Sequence, residues 1–256
     1  MAISLASLQH GGIDKPPRIL IYGVSGIGKT SFAAAAPAPV VIQTEDGLGT
    51  LKVPAFPLAK SFQDVLDALA SLATEAHEFK TLAVDSLDWL EPLIWQHVCQ
   101  ANGWKSIEDP GYGKGYVEAT NLWRDYIDAI NYLRDTIGMT IIQIAHTNIR
   151  RFDSPQSEPY DRYEIKLHKG ASALVQEHSD IVLFANYRVA TTKSEVGFKK
   201  EVRRAIGSGE RILHTEERPA FLAKNRYGMP DAIPAPTAQE AWNNVAAAVP
   251  FFSPQQ

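Results

Sequence analysis

Gly23-Val24-Ser25-Gly26-Ile27-Gly28-Lys29-Thr30-Ser31 decides the reading of this chain. Through Thr30 it fits the pattern G-x-x-x-x-G-K-[ST] without a mismatch. The apolar run Arg18-Ile19-Leu20-Ile21-Tyr22 leads into it, and an alanine-rich segment, Ser31 to Ala36, follows. That is the strand, loop and helix context in which the pattern carries a mechanism. Glycines let the backbone fold tightly, so that successive N–H groups converge on phosphate oxygens. The helix that follows adds the positive end of its dipole. Lys29 is expected to reach the β- and γ-phosphates and the Thr30 hydroxyl to ligate Mg²⁺. The whole stretch from Gly23 to Ser31 is the expected nucleotide cradle.

Working outward, Pro39-Val40-Val41-Ile42-Gln43 reads as a second strand and ends in Thr44-Glu45-Asp46-Gly47. Ser61 is the expected N-cap of an amphipathic helix with Phe62, Val65, Leu66, Leu69, Leu72 and Ala73 on one face. Lys80 to Asp85 is a third strand, followed by a helix carrying Trp89, Leu90, Leu93 and Ile94. Asp109 to Tyr116 breaks regular structure. A long helix through Trp123, Tyr126, Ile127, Ile130 and Leu133 then runs to Gly138. Met139 to Ala145 is a fourth strand. Asn148 to about Tyr163 shows no periodicity and reads as a long loop. A short helix from Ala171 to His178 and a strand from Asp180 to Ala185 come next. Tyr187 to Tyr227 reads as a β-ribbon turning near Gly207-Ser208-Gly209. A final helix runs from Thr237 to about Ala248. The expected organisation is an arm over 1–16, a core over 17–236, and a C-terminal helix and tail over 237–256.

The first strands are almost continuously apolar and alternate with helices, which specifies an α/β fold with a mostly parallel sheet covered on both faces. Ligand-binding residues then belong at the carboxyl ends of the strands. Asp85 ends one such strand and is expected to help hold Mg²⁺. Glu45 ends a neighbouring strand and is the candidate for orienting the attacking water, with Asp46 as the alternative. His146 ends another. It is either a sensor of the γ-phosphate or a structural histidine.

Bulk properties narrow the setting. The hydrophobic and charged fractions, 45% and 21%, are those of an ordinary globular protein rather than a disordered one. A net charge of −4 speaks against a surface coated in positive charge, leaving any nucleic-acid site local. The lone Cys99 excludes an intramolecular disulfide and suits a reducing compartment, with the thiol expected in the core. No apolar run reaches membrane-spanning length, and the first residues lack the basic region of a signal peptide. The expected location is the cytoplasm.

The order of these pieces resembles the RecA-type recombinase core over about residues 17–230. Gly23 to Thr30 matches its phosphate loop. Val41-Ile42-Gln43-Thr44-Glu45 is similar to the strand bearing its catalytic glutamate, and Leu82-Ala83-Val84-Asp85-Ser86 to its metal-binding strand. Ile141 to His146 stands where that family places a sensor strand ending in glutamine, so His146 is a departure. Phe221 to Pro230 is similar to an element whose cations, here Lys224 and Arg226, reach the γ-phosphate of a neighbouring subunit. The resemblance is strongest to the minimal RecA-like ATPases of bacteriophages, which include ATP-dependent single-strand annealing recombinases. It implies ATP and Mg²⁺ as cofactors, a homo-oligomeric ring or filament, single-stranded DNA as ligand, and a host single-strand-binding protein as a further candidate partner.

Two stretches are the expected DNA contacts. Gly111-Tyr112-Gly113-Lys114-Gly115-Tyr116 offers a cation and stacking rings. The second runs from Asn148 to Lys169 and carries Arg150, Arg151, Lys166 and Lys169. A basic cluster at Lys199, Lys200, Arg203 and Arg204 adds charge or is solvated surface. A helicase-like motor, a nucleotide-gated scaffold with little turnover and a small-molecule phosphotransferase are the alternative readings. Such a phosphotransferase needs an arginine-rich lid that the sequence does not display.

Overall fold

Strict alternation along each short strand sends its side chains to opposite faces of one sheet. Leu20 and Tyr22 of β1 (Arg18–Gly23) join one buried cluster, and Ile19 and Ile21 join the other. A computed structural model of the chain describes residues 15–155, 158–195 and 201–253, with side chains between 189 and 208 left aside. The expected N-terminal arm over 1–16 therefore lies almost wholly outside the described residues, as do Lys199 and Lys200.

Five parallel strands form the centre, in the order β2 (Pro39–Gln43), β3 (Thr81–Asp85), β4 (Thr140–Phe152), β1 and β6 (Ile181–Glu195). Antiparallel β7 (Glu201–His214) and β9 (Ala232–Pro234) extend the sheet beyond β6, and the short β8 (Lys224–Asn225) pairs with the start of β6. The α/β class and mostly parallel sheet expected from the apolar runs are what the chain adopts. On one face pack α2 (Phe62–Thr74), α3 (Leu87–Asn102), α4 (Lys114–Tyr132) and α5 (Lys169–His178). On the other lie α1 (Lys29–Ala34) and α6 (Ala238–Ala246).

Local signals place several boundaries. Ser61 caps α2 in a reciprocal arrangement with Asp64, whose backbone N–H donates to the serine hydroxyl at 3.2 Å. Gly138 follows α4 and its terminal wide turn, Leu133–Ile137. Trp242 of α6 meets Phe32 of α1 with ring centroids 5.6 Å apart, and Phe252 packs edge-on against Trp242. The terminal aromatic pair thus covers α6. Cys99 is half-buried on α3 rather than in the core.

Register decides what surrounds the phosphate loop. Gly23 pairs with His146 on β4 and with Ala185 on β6. A Cβ on residue 23 would lie 2.1 Å from the Ala185 carbonyl oxygen, so only glycine allows this approach.

Two expectations are corrected. The stretch from Asn148 to Tyr163 is an antiparallel hairpin rather than a loop: β4 runs on to Phe152 and pairs with β5 (Tyr160–Ile165), with Arg150 opposite Arg162. Its apolar residues are divided between two strands, with Ile165 in the core and Tyr163 against it but Ile149 exposed, so no hydrophobic period announces it. Phe152 and Tyr160 meet at 5.5 Å, and the Arg162 guanidinium sits 5.2 Å from the Phe152 centroid. Gly207-Ser208-Gly209 is not a turn. Gly207 pairs with Val189 inside the ladder, which runs on to Glu195 opposite Glu201.

Candidate nucleotide site

Between Gly23 and Lys29 the chain must leave a buried strand and start a helix within one loop. Gly28, at φ 104°, supplies a backbone conformation that a side chain would strain. Lys29, the first residue of α1, is 5% exposed, and its Nζ donates to the carbonyls of Gly23 at 3.1 Å and Val24 at 3.0 Å. Burial pulls its pKa down, against the pull of Asp85, Asp88 and Glu45. An ammonium has three donors, so one remains to face the cavity.

That cavity has a volume of about 350 Å³ and is lined by Ser25, Gly26, Gly28, Lys29, Thr30, Ser31, Glu45, Gly47, Leu51, Asp85 and His146. The sequence-predicted residues from three strand ends and the loop therefore converge. Gly23, Val24 and Ile27 do not line it. Gly23 is wedged against Ala185, and Ile27 is buried in the core, so the contribution of these three is confined to backbone.

Thr30 Oγ1 donates to Asp85 Oδ2 at 2.6 Å. Asp85 is 2% exposed and its other oxygen, Oδ1, has no hydrogen-bond partner although buried. Burial raises the Asp85 pKa, while Thr30 and Lys29 oppose the rise. An orphaned carboxylate oxygen beside a threonine hydroxyl fits a hard divalent cation completed by phosphate and water. Among the described residues no cluster of three or more His, Cys, Asp or Glu could hold a metal unaided. The Thr30–Asp85 donor pair suits Mg²⁺ arriving with a phosphate.

Glu45 lines the cavity, whereas Asp46 is exposed and does not. Burial raises the Glu45 pKa, opposed first by His146, whose Nε2 lies 4.0 Å from Glu45 Oε1. The other face of the imidazole is held by a residue that sequence reading missed. Asp88, in the first turn of α3, accepts from the His146 backbone N–H at 2.9 Å and lies 3.1 Å from Nδ1. Burial pushes the Asp88 carboxyl up, but the hydrogen bonds and charge of His146 outweigh it and bring it to about 2. Its position three residues after Asp85 was the one available clue.

Arg211 was missed as well. It pairs with Tyr187 on β6, past the parallel ends, and its guanidinium rests against the loop. A Cβ on Gly28 would stand 3.3 Å from Nη1.

Lys224 and Arg226 go elsewhere. Lys224 Nζ donates to the carbonyls of Gln176, Glu177 and Ser179, closing the C-terminus of α5. Arg226 Nη1 donates to Asp180 Oδ1 at 2.9 Å, and Asp180 also takes both arms of Arg18. Asp180 and Arg18 begin their strands, so this cluster sits at the end of the sheet opposite the phosphate loop. With its three ammonium donors on these carbonyls, Lys224 caps α5 within the single chain, where the resemblance implies a cation projecting to a neighbouring subunit.

The expected DNA residues are partly brought together. Tyr112 is fully exposed with φ 50°, and Lys114 opens α4 in solvent. Tyr116 is engaged: its ring stacks on His168 at 4.2 Å and its hydroxyl donates to Glu108 at 2.9 Å. Arg150 donates to the Leu167 carbonyl at 3.0 Å and lies 3.8 Å from Glu164. Arg151 and Lys169 are exposed, and Lys166 Nζ lies 3.5 Å from Asp88 Oδ2. Between α3 and the hairpin, Trp89, Trp95, Arg150, Lys166 and His168 line a groove of about 450 Å³. Trp89, predicted only as a helix residue, is 53% exposed there.

A glycine loop shaped to receive an anion, a buried lysine, and a threonine–aspartate pair with an oxygen to spare define a P-loop nucleoside-triphosphate protein on an α/β sheet. The chain belongs to the AAA domain family, whose sequence profile matches residues 15–227. It is similar to the SPbeta prophage-derived uncharacterized protein YorG of Bacillus subtilis (strain 168), at 28% identity over 240 residues. That match covers 90% of this chain and 66% of the relative, so the chain spans slightly under two thirds of the relative's length. Among solved structures, the crystal structure of the RadB recombinase superposes with a TM-score of 0.47 at 14% identity, over 90% of this chain and 92% of that one. No helix among the described residues is long and apolar enough to cross a membrane.

Proposed function

We propose that the protein is a Mg²⁺-dependent ATPase that binds single-stranded DNA and serves phage-type recombination or annealing. The observation that carries the ATPase reading is the convergence on one cavity of Lys29, the Thr30–Asp85 pair with its spare oxygen, and the Glu45–His146 pair. Backbone N–H groups of the loop and Lys29 bind and orient the phosphates. Thr30 and Asp85 would hold Mg²⁺, which supplies charge neutralisation at the β- and γ-oxygens when bound. In this reading Glu45, which lines the cavity and has its pKa raised by burial, holds the attacking water and takes its proton.

DNA binding is supported by the exposed cations of the β4–β5 hairpin beside the aromatic groove. Contacts of that kind bind backbone and stack bases with little sequence preference and strong salt dependence. Assembly into a ring or filament belongs to the same proposal and rests on the resemblance to RecA-type cores. With Lys224 on the end of α5, a shared active site would draw on Arg226, the half-exposed cation of the same element. A cytoplasmic location is proposed from the single half-buried thiol and the family.

The test is the steady-state rate of ATP hydrolysis with and without single-stranded oligonucleotide, across protein concentration. A DNA-stimulated rate abolished by Glu45→Gln, with ATP binding kept, supports the proposal. A rate indifferent to DNA removes the DNA-dependent part, and absence of turnover favours a nucleotide-gated scaffold.

A further inference from the structure

Asp88 touches two regions that the proposed function keeps apart. It is buried, with its side chain 1% exposed, and lies at the start of α3 between the nucleotide cavity and the groove under the hairpin. Toward the cavity it accepts from the backbone N–H and lies within hydrogen-bond distance of Nδ1 of His146. Toward the groove its Oδ2 is 3.5 Å from Lys166 Nζ, an ammonium whose side chain is 57% exposed. One carboxylate is thus shared by the imidazole beside Glu45 and by a cation on the surface proposed to meet DNA.

An ionised carboxylate only accepts, so His146 must carry its proton on Nδ1. In the neutral ring Nε2 is then left as an acceptor on the side of Glu45, whose Oε1 lies 4.0 Å away. The charges facing this imidazole are Glu45 after β2, Asp85 on β3 and Asp88 on α3, with Lys29 of α1 acting on all three carboxylates. A carboxylate behind an imidazole N–H fixes its tautomer and strengthens the opposite nitrogen as an acceptor. A cation on the same carboxylate drains that effect.

We infer that Asp88 is a positioning residue that couples the hairpin to the water-orienting pair, and that Lys166 restrains it until an anionic nucleic-acid backbone draws the ammonium away. Once Lys166 turns to a phosphate, the full charge of Asp88 bears on Nδ1–H, and His146 Nε2 with Glu45 holds the attacking water more firmly. The trigger rests on the proposed DNA binding. The link between Lys166, Asp88 and His146 does not.

Lys166→Gln keeps the shape of an exposed side chain and removes its charge. ATP hydrolysis is measured for the full chain, for Lys166→Gln and for Asp88→Asn, across pH, with and without oligothymidylate. Lys166→Gln should raise the DNA-independent rate about 5-fold or more, toward the DNA-saturated rate, and shrink the stimulation. Asp88→Asn should lower the rate at least about 10-fold with and without DNA, alter the pH profile, and leave nucleotide KM nearly unchanged. A simple DNA-contact lysine predicts the opposite for Lys166→Gln, namely an unchanged or lower rate, and that result overturns the inference. If DNA leaves the wild-type rate unchanged while Lys166→Gln is faster, the DNA reading fails and the link stands. If no variant turns over, the imidazole ¹⁵N shifts of His146 decide, since they need no hydrolysis. Lys166→Gln should move the Nε2 resonance with Nδ1 still protonated, and an unmoved resonance overturns the link.

Discussion

Glu91 gives a stability test with a calculable size. It lies on α3 beside Asp88, is 6% exposed, and both carboxylate oxygens accept from the His168 backbone N–H at 3.0 Å. Burial raises its pKa from 4.5 to about 7, against the pull of that hydrogen bond and of Arg150. A folded-state pKa above the unfolded one means that the native protein binds the extra proton. Stability is therefore greatest below the unfolded value and falls as pH climbs from 4.5 to about 7. At about 1.4 kcal/mol per pH unit, the cost of the ionised carboxylate above that window is about 3 kcal/mol. Glu91→Gln keeps the carbonyl that His168 needs and cannot ionise. Urea unfolding of both proteins, followed from mildly acidic to mildly alkaline pH, should show the variant gaining on wild type by about 3 kcal/mol across the window and holding level above it. A wild-type-to-variant difference that does not change with pH would refute the argument, because it would mean that Glu91 titrates alike folded and unfolded.

The other predictions concern single contacts. Asp85→Asn keeps an acceptor for Thr30 but loses the charge of the orphaned oxygen, so the Mg²⁺ concentration for half-maximal hydrolysis should rise about 10-fold or more, measured by metal titration at fixed ATP. Lys224→Ala uncovers three carbonyls at the end of α5 and should cost about 2 kcal/mol, lowering Tm by about 4–8 °C, with kcat intact in the folded fraction. A large loss of kcat without loss of stability would favour a cation projecting to a neighbouring subunit. Arg211→Ala should weaken nucleotide affinity about 10-fold, read by titration with a fluorescent ATP analogue, and unchanged affinity would show that the guanidinium points past the phosphates.

The sequence by itself determined the parts whose physics is local. A glycine pattern that needs unusual backbone angles, apolar runs that must be buried on both faces, and a serine three residues before an aspartate each act within a few residues. They placed the phosphate loop, the parallel strands, the N-cap at Ser61 and the carboxylates at the ends of β2 and β3. Tertiary structure alone decided the rest, because those outcomes depend on partners far away in the chain. The hairpin from Thr147 to Ile165 divides its few apolar residues between two strands, and it forms because those strands satisfy one another's backbone groups while Tyr163 and Ile165 anchor its base to the core. Lys224 looked free in sequence and is consumed by carbonyls 45 to 48 residues earlier. Asp88 acquired its role when sheet register set His146 beside Gly23 and packing brought α3 beneath it, joining residues 58 apart in sequence. A motif read along the chain reports what each segment can do, and only the sheet decides which ionisable groups share a charge.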